Sequence, residues 1–239
     1  KVKKPEIETR LIKIERPDKI GGRYIAKRVI LSKEELNKND VFILETSSKL
    51  YIWIGSESSL AQQVKAHDVA NLIKHQERRG KVDIIVVEEG KEDKEFFSVF
   101  PQQNIKPSLE KDQANLYWIS VDDKEQLNVQ QIKEKSLKRS LLNTQETYLL
   151  ETKYEIYVWY GYNSNYLARQ YADALALKSQ KKFKEKYELS IYKCWEHCEP
   201  VLFKERFDSG FYEFDTPITF EQRRRNQIKI FKEINKDPE

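Results

Sequence analysis

FILETSSKLYIWIG, Phe42 to Gly55, and YLLETKYEIYVWYG, Tyr148 to Gly161, are one passage written twice. They align without a gap and keep Leu, Glu, Thr, Tyr, Trp and Gly at matching places. Such self-similarity marks a repeated structural unit and has to be read before any local motif. Each copy reads as two short strands: an apolar run (Val41 to Leu44, Tyr148 to Leu150), a polar turn, then an aromatic run (Leu50 to Ile54, Ile156 to Tyr160).

Outward from each glycine the order repeats. A polar loop leads to a predicted helix, with Leu60, Val64, Val69 and Ile73 at helical spacing in the first copy and Leu167, Tyr171 and Leu175 running toward Phe183 in the second. Small residues (Ala61, Ala66 and Ala70; Ala168, Ala172 and Ala176) would let each helix approach its sheet closely. A later strand follows in each, Lys81 to Gly90 and Leu189 to Trp195, and then Phe96, Phe97 and Phe100 answer Phe203 and Phe207. Thr9 to Glu15 and Leu116 to Asp123 read as opening strands. The expected organisation is α+β: a first unit over 9–103, a Pro-containing polar linker over 104–115, a second unit over 116–210, and an appendage over 211–239 carrying Phe220, Ile228 and Phe231.

With 39% apolar residues and four Trp, thirteen Tyr and eleven Phe in 239 residues, two cores can be filled. The net charge of +4 is spread over 43 basic and 39 acidic residues and does not point to nucleic acid. No run is long and apolar enough for a transmembrane segment, and Lys1 to Lys4 lead into Pro5 and Glu6, not an apolar leader. The absence of Met suggests a mature fragment or an expressed piece, which leaves room for flanking domains. Two cysteines fit a reducing compartment, and the cytoplasm is the expected location.

Catalytic chemistry finds no foothold. His67 and His75 lack a nucleophile context, Glu88 to Glu95 reads as solvated charge at a strand end, and Gly21 and Gly22 form a turn pair with no phosphate-loop pattern. Cys194, His197 and Cys198 lack the fourth ligand of a closed zinc site.

The first unit, with LNKNDVFILET, KLYIWIGSESS and VKAHDVANLIKHQERRGKVDIIVVEEGKEDKEFF, resembles a gelsolin or villin repeat, most closely the second repeat of those proteins. LNTQETYLLETKYEIYVWYG, with CEPVLFKERF, resembles a further repeat, so the likeness runs from about Thr9 to Phe207. It implies two gelsolin-like domains, each a central mixed sheet between a long and a short helix. It also implies an actin-binding protein of the cytoskeleton that acts on filaments by side binding or end capping, with severing dependent on further domains. The implied contact is the long-helix face around Gln62, Lys65, Asp68, Val69, Leu72 and Ile73. The alternative is a non-catalytic scaffold that has lost actin regulation.

The same resemblance implies a calcium cage in each unit, built from an acid at the first core strand, a helix glutamate seven residues after the W-x-G glycine, and carbonyls. The first set is Asn39, Asp40 and Gln62, with Asp112 from the linker, and its helix ligand is neutral. The second retains Gln145 and Glu146 but meets Ala168. Both are weak or vestigial, so no cofactor is required and Ca²⁺ binding is expected to be weak. The disulfide of some extracellular second repeats falls on Val41 and Ile54 and is not expected. Phosphoinositides are a candidate partner for Arg10 to Lys19, for the lysines from Lys178 to Lys186 and for Arg223 to Arg225, although intervening acids also suit a solvated face.

Overall fold

The computed structural model describes residues 8–17, 22–102, 112–183, 189–208 and 211. Most of the expected linker and nearly all of the appendage, with Arg223 to Arg225, lie outside these, as do Lys184 and Lys186.

The first unit contains β1 (Arg10–Glu15), β2 (Ile25–Val29), β3 (Val41–Glu45), β4 (Lys49–Ile54), α1 (Leu60–Leu72), β5 (Asp83–Glu88) and α2 (Lys94–Ser98). The second contains β6 (Asn115–Val121), β7 (Leu127–Ile132), β8 (Thr147–Glu151), β9 (Glu155–Tyr160), α3 (Tyr166–Phe183), β10 (Ser190–Trp195) and α4 (Val201–Lys204). The sheets have the same topology, β2-β1-β3-β4-β5 and β7-β6-β8-β9-β10, with only the β4–β5 and β9–β10 pairs parallel. This is the expected α+β fold, a mixed five-stranded sheet with one long and one short helix in each unit. Trp53 faces Phe42 across the ladder, and Trp159 faces Tyr148. Both pairs meet edge-on, at 5.9 and 5.6 Å between centroids.

The repeated letters have local causes. The threonine of each Glu-Thr pair closes the hairpin, because the Thr46 hydroxyl donates to the Lys49 carbonyl at 3.0 Å and the Thr152 hydroxyl to the Glu155 carbonyl at 3.0 Å. Each indole N–H donates to a carboxylate in the loop before the short helix, Trp53 to Glu92 at 2.6 Å and Trp159 to Glu199 at 2.9 Å. Each glycine marks a close approach. A Cβ on Gly55 would lie 2.5 Å from the Lys38 carbonyl oxygen, and one on Gly161 would lie 2.3 Å from that of Thr144.

The helices pack through alanines, but not through all the residues their periodicity suggests. Ala66, Val69, Ala70 and Ile73 line the core side of α1, and Ala168, Ala172 and Ala176 that of α3. Leu60 and Val64 point outward, as does Tyr171. The buried stripe begins at Gln62, which a hydrophobicity count passes over. Strands β2 and β7 were not anticipated; β7 is exposed along nearly its whole length and so lacks an alternating signature.

One apolar cluster joins the two units. It runs from Ile12, Ile43, Ile52 and Val69 to Tyr157, Trp159, Phe203 and Phe207. Charge is buried at the same seam. Arg10 contacts Glu45 at 2.6 Å and Glu77 at 2.9 Å in its own unit, and Glu155 of the second at 3.6 Å. A π-helical turn after α1, Ile73–Glu77, sets Glu77 to accept from the Val201 N–H at 2.7 Å while Arg78 reaches Glu45 at 2.9 Å. Burial raises the Glu77 carboxyl against the pull of Arg10.

Gly55→Ala and Gly161→Ala should each destabilise the fold by about 2 kcal/mol or more, because the methyl group meets backbone that cannot rotate away. Gly90→Ala, where a Cβ would meet nothing but the backbone angle is unfavourable, should cost about 1 kcal/mol. Urea unfolding of the three variants compares these costs directly.

Candidate functional site

The exposed surface of α1 begins at its N-terminus. Ser59 caps the helix in a reciprocal box, its hydroxyl accepting from the Gln62 backbone N–H while the Gln62 side-chain oxygen Oε1 accepts from the Ser59 N–H at 3.1 Å. Just beyond, Leu60 is 74% and Val64 53% exposed, two large apolar side chains one turn apart. Asp68, Asn71 and His75 continue the exposed stripe, beside a groove of about 510 Å³ lined by Arg23, Lys65, Leu72 and Gln76.

This geometry corrects the expected docking residues. Val69 and Ile73 are fully buried and Gln62 is 7% exposed, so these three hold the helix to the sheet. Asp68 is exposed, while Lys65 and Leu72 are intermediate. Lys65 is also engaged, its ammonium 2.8 Å from Glu205 of the second unit. Glu205 is buried and accepts the Ala26 N–H as well, and Arg23 donates to the Glu205 and Phe207 carbonyls. The second unit therefore borders the groove.

The first expected cage is filled by donors. Asp40 Oδ2 accepts from Lys13 Nζ at 2.6 Å and Asn37 Nδ2 at 2.9 Å, and Oδ1 accepts from Gln62 Nε2 at 3.1 Å. Asn39 is exposed in the turn, its N–H donating to the Asn37 side chain. Asp112 does not join this set. One of its carboxylate oxygens accepts the Lys153 N–H at 2.9 Å, and the other pairs with Arg206 at 2.7 Å. Burial alone would raise the Asp112 carboxyl, but Arg206 and the Lys153 N–H outweigh it and hold it below the usual range.

In the second unit Glu146 accepts the Trp118 indole N–H at 2.8 Å, Gln145 is exposed, and buried Ala168 presents no oxygen. Neither set fits a hard cation that wants several free oxygens. Cys194 lies in the core of β10, where burial pushes its thiol up, and neighbouring His197 is exposed at positive φ. Among the described residues no helix is long and apolar enough to cross a membrane.

The Gelsolin repeat family model matches residues 23–97. A curated relative from Platymeris rhadamanthus, "Actin depolymerising venom protein gelsolin 1", is 31% identical over 78% of this chain and 54% of its own length. Villin-5 of Arabidopsis thaliana is 31% identical over 79% of the chain and 21% of its own length. Gelsolin of Drosophila melanogaster is 28% identical over 84% of the chain and 27% of its own length.

The chain carries a gelsolin repeat over residues 23–97 and is similar to gelsolins and villins across most of its length. It spans about half the length of the first of these relatives and about a quarter or less of the other two. Of the basic segment that starts at Arg10, Arg10 is buried among three carboxylates and Lys13 is paired with Asp40, while Arg16 is exposed. Sequence reasoning missed Lys13 and Trp118 because each lies on a strand remote in sequence from the acid it meets. Pairing the opening strand with the first core strand in register would have found both.

Asp112→Asn should lower stability at pH 7 by about 3 kcal/mol, since it strands a buried guanidinium. A depressed carboxyl stabilises above its unfolded pKa of about 3.9 and loses that contribution as pH falls through its folded value. The gap between variant and wild type should therefore narrow toward pH 3 in urea titrations. A gap unchanged with pH would deny the ion pair this role.

Proposed function

We propose that the chain binds actin filaments by recognition, without catalysis, through the outer face of α1, and that it acts by side binding or end capping. The observation that carries this reading is the Leu60 and Val64 pair, held open to solvent at the start of a helix whose other side is fully packed. Paired exposed aliphatics ringed by charge are the kind of centre a specific interface needs. The Platymeris rhadamanthus relative, named as an actin-depolymerising gelsolin, supports the partner. On this reading the protein works in the cytoplasm on the actin cytoskeleton. Severing would require domains beyond this pair.

Neither Ca²⁺ nor any other cofactor is needed for the contact, because α1 is capped and seated by protein groups alone. Exposed Lys178, Lys181 and Lys182 at the end of α3 remain the candidate contact for phosphoinositides. One observation favours a scaffold instead: Lys65 is already paired with Glu205, so part of the long-helix face serves the second unit.

Leu60→Asp/Val64→Asp should weaken co-sedimentation with filamentous actin by roughly tenfold or more while leaving the melting temperature nearly unchanged, since both side chains already meet water. Wild type should pellet equally with calcium or chelator. Unaltered pelleting of the variant would move the contact off this face, and wild-type protein that never pellets would favour the scaffold.

A further inference from the structure

We infer that the opening strand of each repeat carries a fixed hydrogen-bond donor where the family's cage would hold a cation: Lys13 in the first and Trp118 in the second. The inference stands on geometry alone and does not depend on actin binding. Lys13 pairs with Phe42 across the β1–β3 ladder, and its side chain reaches Asp40, two residues earlier. Trp118 pairs with Tyr148 across the β6–β8 ladder and reaches Glu146, again two residues earlier. Two chemically different donors occupy the same register position and meet the equivalent acid.

In the first repeat, the surroundings fix the polarity of the site. One end of the Gln62 amide faces two acceptors, Asp40 Oδ1 at 3.1 Å and the Ile14 carbonyl at 3.3 Å. The other end faces two donors, the Ser59 N–H and hydroxyl, both at 3.1 Å. Only one amide orientation satisfies all four, with Nε2 toward Asp40, so the one helix oxygen that could coordinate a metal turns away. The Lys13 ammonium cancels the charge of Asp40. A divalent ion would have to expel Lys13, reverse the amide and break the helix cap. In the second repeat the indole fills the space beside Glu146, and Ala168 supplies no ligand.

The consequence is a permanent latch. A bound cation would join strand and helix only when present, but Lys13, Asp40 and Gln62 join β1, β3 and α1 continuously. The exposed turn at Leu60 and Val64 is thereby held in one geometry whatever the divalent-ion concentration.

The test compares wild type, Gln62→Glu, Lys13→Met and Lys13→Met/Gln62→Glu, each titrated with calcium chloride by calorimetry and melted with calcium at about 1 mM or with chelator. Wild type and Gln62→Glu should show no calcium-dependent rise in melting temperature. Lys13→Met should melt lower in both buffers. The double variant should gain calcium-dependent stabilisation and bind at least roughly tenfold tighter than Gln62→Glu, because the competing ammonium is gone. If the double variant does not melt cooperatively, Lys13→Gln/Gln62→Glu, which keeps a polar stem, replaces it with the same expectation. Calcium stabilisation of wild type that Asp40→Asn abolishes would overturn the inference. So would calcium binding by Gln62→Glu as tight as in the double variant, or a folded double variant that gains none.

Discussion

The loop that leads into the first core strand lies against the glycine ending the second, and there is no room between them for a single methyl group. Gly55 donates its N–H to the Asp40 carbonyl at 3.1 Å, and Gly161 donates to the Glu146 carbonyl at 2.9 Å. The same loop accepts from beyond the glycine, Lys38 from the Glu57 N–H at 2.7 Å and Thr144 from the Asn163 N–H at 2.8 Å. Backbone thus clamps backbone, and the acid at the strand start is brought beside the start of the long helix. Everything at the candidate site follows from that proximity: the Ser59 cap, the reach of Gln62 to Asp40, and the direction in which α1 leaves the sheet.

How far the sequence could be read depended on whether a feature was local. The Glu-Thr turn, the W-x-G close approach and the alanine stripe are each determined within a few residues and appear twice, so the fold and its repetition were legible. The orientation of α1 was only half legible, because Leu60 and Val64 have the right spacing for a core face while Gln62 takes the buried place through hydrogen bonds to Asp40 and Ile14. The candidate site was least legible. Lys13 and Trp118 matter through cross-strand register, and Asp112 through a partner, Arg206, far along the chain. Composition cannot show whether a carboxylate faces a cation site or an arginine.

The seam between the repeats combines two kinds of contact. Apolar packing from Ile12 to Phe203 supplies the non-directional part. The carboxylates around Arg10 supply direction, since a guanidinium with three acidic partners in one small volume tolerates little rotation of either unit. The three acids keep Arg10 firmly charged despite its burial.

That burial also separates the seam from the outer surface in its response to ionic strength. Mobile ions screen exposed charges beyond about 8 Å at physiological salt but reach a buried cluster far less. The rim around Leu60 and Val64, with Asp68 and His75, is open to the electrolyte, whereas Arg10 and its partners are enclosed. Rising salt should therefore weaken charge interactions at the exposed rim while leaving the contacts that clasp the two repeats largely intact.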